Sequence, residues 1–228
     1  MSALQQGDLV SQSTLKWLRL VVPGIFMLFA LTPLFRGTGD LSALARSFLS
    51  LETLRNSVPV VLLGALYIIF NLRRFAWRES HRKINDNIKD RLLAPCLHDA
   101  LIEGANDSLR TGNALMHVFY KLVDRDPSLT EKANRVRFNG LLWSTVADLT
   151  TVGTLGALLY LFAFAITDEF HQLLMFALLA LVALLAHFIL MPVVTRRHIE
   201  LSDDQLEFIV QHYRADLCAD IRDAARAI

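Results

Sequence analysis

Apolar residues gather in four blocks along this chain, Trp17 to Phe35, Val58 to Phe70, Leu141 to Ile166 and Leu173 to Val194, and the stretches between them are rich in charge. A helix rises about 1.5 Å per residue, so roughly 17–25 apolar residues cross the hydrocarbon of a bilayer. Each block approaches that length, and the pattern predicts four transmembrane helices. The shortest block is long enough if the span runs from Ser57 to Trp77, with Arg73 and Arg74 snorkelling to the interface and Trp77 seated there. The first block is too long for the apolar part of a signal peptide, follows a polar stretch (Ser2 to Thr14) and precedes no small-residue cleavage pattern, so it reads as a retained span.

Between the blocks the apolar residues thin to stripes at helical spacing. Leu41, Leu44, Phe48 and Leu51 predict an amphipathic helix lying along the outer interface. Trp77, Ile84, Ile88 and Leu92 carry the second span on as a stalk until Pro95 stops it. A second helix is expected next, burying Leu101, Ala105, Gly112, Leu115, Phe119 and Leu122 and ending at Asp126-Pro127. Ser128 to Glu131 reads as a capping box, from which a helix runs through Arg137 into the third span. Ser202 to Gln205 reads as another, starting a helix with Leu206, Ile209, Val210, Tyr213, Leu217 and Ile221 on one face. No segment alternates with the period of a strand. The predicted fold is an all-α integral membrane protein, with four transmembrane helices and a small helical cytosolic bundle formed by extensions of the spans and a C-terminal amphipathic helix. Its parts are a cytosolic segment 1–15, a transmembrane hairpin 16–77 with outer loop 36–56, a cytosolic region 78–137, a second hairpin 138–196 and a cytosolic helix 197–228.

Composition strengthens the membrane assignment. Of the 228 residues 54% are hydrophobic, against about 45–50% in soluble domains. Orientation follows from Lys and Arg beside the spans. Arg73, Arg74, Arg78, Arg82, Lys83, Lys89 and Arg91 follow the second span, Lys132, Arg135 and Arg137 precede the third, and Arg196 and Arg197 follow the fourth. The connection 167–172 has Asp168 and Glu169 and no base. These segments predict a multi-pass protein of the plasma membrane, the inner membrane in a bacterium, with both termini cytosolic. Arg36, Arg46 and Arg55 in the outer loop run against the rule. Net charge is +1 and no long basic run occurs, so no direct nucleic-acid partner is expected. Cys96 and Cys218 both fall in segments assigned to the cytosol, where a structural disulfide is not expected.

Asp148 is the sharpest chemical feature, because a charge at mid-membrane costs about 2.5–3.5 kcal/mol or more and must face protein or water. It lies eleven residues after Arg137, and His187 lies nine before Arg196 on a helix of opposite direction. Both are then about 14–16 Å from the cytosolic boundary. A neutral His donating to the carboxylate would satisfy both, and such a layer serves either helix register or a proton or cation path. Ser144, Thr145, Thr150, Thr151 and Thr154 make the same half-helix polar and predict a buried face. Gly153 and Ala157, with Gly156 beside them, form a small-xxx-small pattern for close helix packing. Pro192 predicts a kink in the fourth span.

In the cytosolic region Arg91 to His98 and Arg110 to His117 share an Arg-x6-His spacing that resembles the motif of HEPN ribonucleases, which act as helical dimers. The resemblance covers these residues alone and implies a membrane-tethered ribonuclease. Cys96, His98 and Asp99 lack the second spaced pair of a zinc site, so no metal is expected, and no nucleotide-binding or hydrolase motif implies a cofactor. The reading that follows is a non-enzymatic membrane protein, a homo-oligomer or a subunit of a complex, coupling a membrane event to a soluble cytosolic partner. In topology it resembles small membrane subunits of bacterial defence systems, which implies a sensor or effector role. The alternatives are an ion or proton channel built on the Asp148 and His187 layer, and the ribonuclease.

Overall fold

The computed structural model of the chain describes residues 12–36 and 57–228. Most of the expected segment 1–15, and all of loop 36–56 but Arg36, lie outside the described residues. Those residues are helical, with no strand among them. Three helices are long and apolar enough to cross a membrane, and there are four if one bent pair counts as a single span. The chain divides into two units, one formed by residues up to Arg78 with Leu141–Val193, the other by Glu79–Gly140 with Val194–Ile228.

The apolar unit holds α1 (Gln12–Arg36), α2 (Ser57–Ile69), the start of α3 (Arg74–Leu93), the second half of α7 (Pro127–Thr167), α8 (Phe170–Leu185), a π-turn (Ala186–Leu190) and the start of α9 (Met191–His212). α1 and α2 cross with their backbones almost touching. A methyl group on Gly24 would strike the Val60 carbonyl, and one on Gly64 the Leu20 carbonyl. Behind this crossing Ala30, Tyr67, Val152, Tyr160, Met175 and Leu179 form the core. Tyr160 satisfies its buried hydroxyl by donating to the Ala30 carbonyl at 2.8 Å. Leu62, Phe70, Leu158, Phe162, Leu181 and Phe188 remain exposed, so the outside of the unit is as apolar as its inside.

The second apolar block is not one straight helix, contrary to the sequence expectation of a helix continuing through Arg73. α2 stops at Ile69 and the following helix leaves at 60°. Asn71 is the cause: at φ 49° it occupies the left-handed position after a helix C-terminus, which Asn tolerates. Leu72 N–H donates to Tyr67 O at 3.2 Å and Asn71 N–H to Ile68 O at 2.9 Å, the pair of bonds that closes a Schellman turn. In the fourth apolar helix, Pro192 has no N–H and its ring would press on the carbonyl of Phe188. The preceding turn widens into the π-turn, closed by Met191 N–H to Ala186 O.

The polar unit contains the rest of α3, a 3-10 turn (Ala94–Cys96), α4 (Ala100–Gly104), α5 (Asn106–Thr111), α6 (Ala114–Arg125), the first part of α7, most of α9, and α10 (Arg214–Arg226). One helix was expected where α4, α5 and α6 lie. Gly104-Ala105 and Gly112-Asn113 break it, and Lys89 Nζ stabilises the second break by donating to the carbonyls of Arg110 at 2.5 Å and Gly112 at 3.0 Å. The breaks rotate the stripe: Ile102 and Leu109 are buried and Leu101 is exposed. A helix does start at the first expected capping box and runs on into the third apolar block, but its cap lies two residues before Ser128, and the second box starts none. α7 begins at Pro127, and Asp126 Oδ1 accepts from Ser128 N–H at 2.7 Å, so Asp126 is the cap and Pro127 the favoured first residue. α9 passes straight through Ser202, whose buried hydroxyl donates to His198 O at 2.9 Å, and the break falls at Tyr213 instead.

Cys96 and Cys218 are joined in a disulfide, a correction to the expectation that the fold would hold none. Pro95 ends α3 and turns Cys96 inward, while the buried Leu217 and Ile221 hold α10 against the unit and bring Cys218 to within 5.4 Å, Cα to Cα. Ion pairs reinforce the docking of α10: Arg125 with Asp216, Lys121 with Asp220 and Arg222 with Asp99.

Candidate functional site

Asp148 sits on α7 with 1% of its side chain exposed, inside the apolar unit. Its partner is Arg73. The Schellman turn at Asn71 reverses the direction in which the residues after α2 project, so Arg73 points into the bundle, 15% exposed, rather than snorkelling outward. Its Nε donates to Asp148 Oδ1 at 2.6 Å and Nη2 to Oδ2 at 2.9 Å, the fork geometry that makes Arg–carboxylate pairs strong. Nη2 also reaches the Arg19 carbonyl of α1 at 3.4 Å, and the guanidinium lies 5.9 Å from the centre of the Tyr67 ring. α1, α2, α7 and the α2–α3 turn thus converge on one neutral pair. Trp77 and Trp143, with ring centres 5.0 Å apart, flank it along α3 and α7.

Beside the pair lies the Tyr67 hydroxyl, which faces both Thr151 and the Asp148 carboxylate, and Tyr67 Oη and Thr151 Oγ1 are both buried from solvent. Ser144 and Thr150, by contrast, turn their hydroxyls back to Leu141 O at 2.8 Å and Val146 O at 3.0 Å of their own helix.

His187 does not serve Asp148, whose two oxygens are taken by Arg73. It lies exposed on the π-turn, edge-on to Phe188 at 4.9 Å, and lines a groove with Thr150, Thr151 and Thr154. Gly153 and Gly156 face α8: a methyl on the first would meet Ala183 at 3.0 Å, and one on the second Leu179 at 2.8 Å. Ala157 is buried beside them.

The Arg–His pairs of the polar unit are divided by the helix breaks. Arg110 on α5 bonds Asn106 at 2.9 Å and pairs with Asp90, while His117 stands exposed on α6. Arg91 pairs with Asp203 at 3.0 Å from α3, and His98 lies in the turn before α4. Asp99 caps α4, and the Arg222 guanidinium holds its carboxyl below the usual carboxylate range. Tyr213 donates to Asp126 Oδ2 at 2.6 Å, which lowers the Asp126 pKa and raises that of Tyr213. Burial lowers the pKa of His81. Among the described residues no three His, Cys, Asp or Glu side chains gather as a metal site.

Sequence reasoning missed Arg73 and Tyr67. The signal was present in Asn71, a residue that ends helices, within an otherwise apolar run. Comparison with protein-family models, with curated proteins and with solved structures returns no match.

Proposed function

We propose that this chain is a non-enzymatic integral membrane protein of four spans, working as a homo-oligomer or as the membrane subunit of a larger complex, and that it couples a membrane event to a soluble cytosolic partner. The bidentate Arg73–Asp148 pair carries the reading. It ties the break in the second span to α7, the 41-residue helix that contributes to both units, so opening or closing the pair is a local event with a helix to transmit it. It also favours coupling over conduction, because a carboxylate neutralised by a guanidinium on both its oxygens attracts a passing cation weakly. The exposed apolar faces of α2, α7 and α8 support lipid contact, and the Lys and Arg beside the spans support cytosolic termini.

The test is hydrogen exchange of the full chain in lipid nanodiscs. Asp148→Asn removes one charge and leaves Arg73 uncompensated, a change that costs about 3–5 kcal/mol at a buried pair. Faster exchange is expected around residue 148 and also over 127–140, with recovery in the exchanged pair Arg73→Asp with Asp148→Arg. Unchanged exchange over 127–140 would refute the coupling. A rise in conductance with Asp148→Asn at constant oligomeric mass would move the assignment to a channel.

A further inference from the structure

The basic side chains of the two units differ in what they meet. In the polar unit exposed bases sit on carboxylates of their own helices: Arg82 and Lys83 on Glu79, Arg135 on Glu131, Arg196 and Arg197 on Glu200. In the apolar unit Lys16 and Arg19 stand exposed one turn apart on α1, and Arg74 and Arg78 one turn apart on α3. Among the described residues of that unit the acids are Asp148, Asp168 and Glu169. Asp148 has both oxygens on Arg73, and the other two lie at the far end of α7, about 30 Å further along its axis. The four exposed bases are therefore uncompensated within their unit.

They are also gathered. Arg73 Nη2 donates to the Arg19 carbonyl at 3.4 Å, the Arg19 and Arg73 guanidiniums repel each other, and Arg74 follows Arg73 in the chain. The start of α1 and the α2–α3 turn thus share one basic cluster, whose charge an anion would neutralise. The same turn exposes Ile69 and Phe70 just before the bases, and Trp17 stands exposed beside Lys16. Cations bordered by exposed apolar side chains of the spans suit the head and tails of a lipid better than an acidic peptide.

We propose that this cluster binds the phosphate of an anionic glycerophospholipid. Arg19 and Arg74 donate to the phosphate oxygens, Lys16 and Arg78 add charge, and the acyl chains lie along Ile69 and Phe70. The inference rests on the membrane placement proposed above but not on the coupling.

The experiment places the full chain in phosphatidylcholine vesicles that carry either dibrominated phosphatidylglycerol or dibrominated phosphatidylcholine. It reads quenching of tryptophan fluorescence, with the exposed Trp17 beside the cluster as reporter. Stronger quenching by the phosphatidylglycerol is expected for the wild type, and the preference is expected to vanish at about 1 M salt, where charges are screened beyond roughly 3 Å. Arg19→Gln and Arg74→Gln are each expected to lower the preference about fivefold. Arg196→Gln removes an exposed base already paired with Glu200 and is expected to leave the preference unchanged. Equal quenching by the two lipids overturns the proposal, as does a loss in Arg196→Gln as large as in Arg19→Gln, which would show only general attraction to basic flanks. So does relief of the quenching by inorganic phosphate, which would show a site for the free ion. Quenching by neither lipid would defeat the membrane placement itself, whereas a lipid preference with unchanged exchange over 127–140 would defeat the coupling alone.

Discussion

Asp126 and Tyr213 illustrate how one contact between side chains sets behaviour at both ends of the pH scale. The phenol donates to the carboxylate at 2.6 Å, and the carboxyl is held below its ordinary pKa while the phenol is held above its own. For the Asp, folding favours the charged form, so its contribution is present above about pH 4 and is lost as pH falls through the lowered value. For the Tyr, folding favours the protonated form, so its contribution is present below about pH 10 and is lost as pH rises through the raised value. Tyr213→Phe is therefore expected to lower the melting temperature of the full chain across neutral pH, with the difference from wild type shrinking as pH falls through the lowered Asp126 value. A difference that stays constant throughout the acid range would show that the hydroxyl acts through packing alone. At this scale Asp148 was legible in the sequence, because a carboxylate in an apolar run has few alternatives to burial. Its partner was not. Arg73 reads as an interfacial residue from its position in the chain, and only the 60° turn at Asn71 aims it inward.

Among the elements, the crossing of α1 and α2 is the contact with least tolerance. Gly24 and Gly64 each lie where a methyl group would overlap a carbonyl of the other helix, at Val60 and Leu20. Backbone carbonyls do not move aside as flexible side chains do, so Gly24→Ala or Gly64→Ala must push the helices apart. The expected loss is about 1–3 kcal/mol for either, comparable to overpacking in a close-packed core, measured as a drop in the nanodisc melting temperature. Gly153→Ala is expected to cost less, since the nearest contacts, at 3.0 and 3.1 Å, are the Ala183 side chain and the Leu179 carbonyl. Equal losses would mean that the α1–α2 crossing relaxes freely. The sequence announced Gly153 and Gly156 through their spacing on one helix, but Gly24 and Gly64 stand on different helices and no single-helix spacing reveals them. The same contrast runs through the whole chain. Long helices such as α7 follow from uninterrupted periodicity, whereas the divisions between α4, α5 and α6 depend on where Lys89 can reach carbonyls left free.

At the scale of the molecule two physical arguments point opposite ways. Arg74, Arg78, Arg82, Lys83, Lys89 and Arg91, with Lys132, Arg135 and Arg137, favour the cytosolic side proposed for the polar unit, by the rule that basic flanks stay inside. The Cys96–Cys218 disulfide in that unit belongs by chemistry to an oxidising compartment. Charge acts during insertion, before the unit folds and the thiols meet, so the orientation proposed above follows the charge. The disulfide then becomes a bond that the folded unit allows and the compartment controls. In intact cells a membrane-impermeant maleimide is expected to leave both thiols unlabelled, and permeabilisation without reductant is expected to expose Cys218, which is partly accessible, as a free thiol. Oxidation of the purified protein should then raise the stability of the polar unit by about 2–4 kcal/mol, the usual gain from closing a loop, here one of sequence separation 122. Labelling from outside, and only after reduction, would invert the topology. The basic flanks would then have been overridden, and the Arg73–Asp148 pair would couple the membrane to a partner on the outer side.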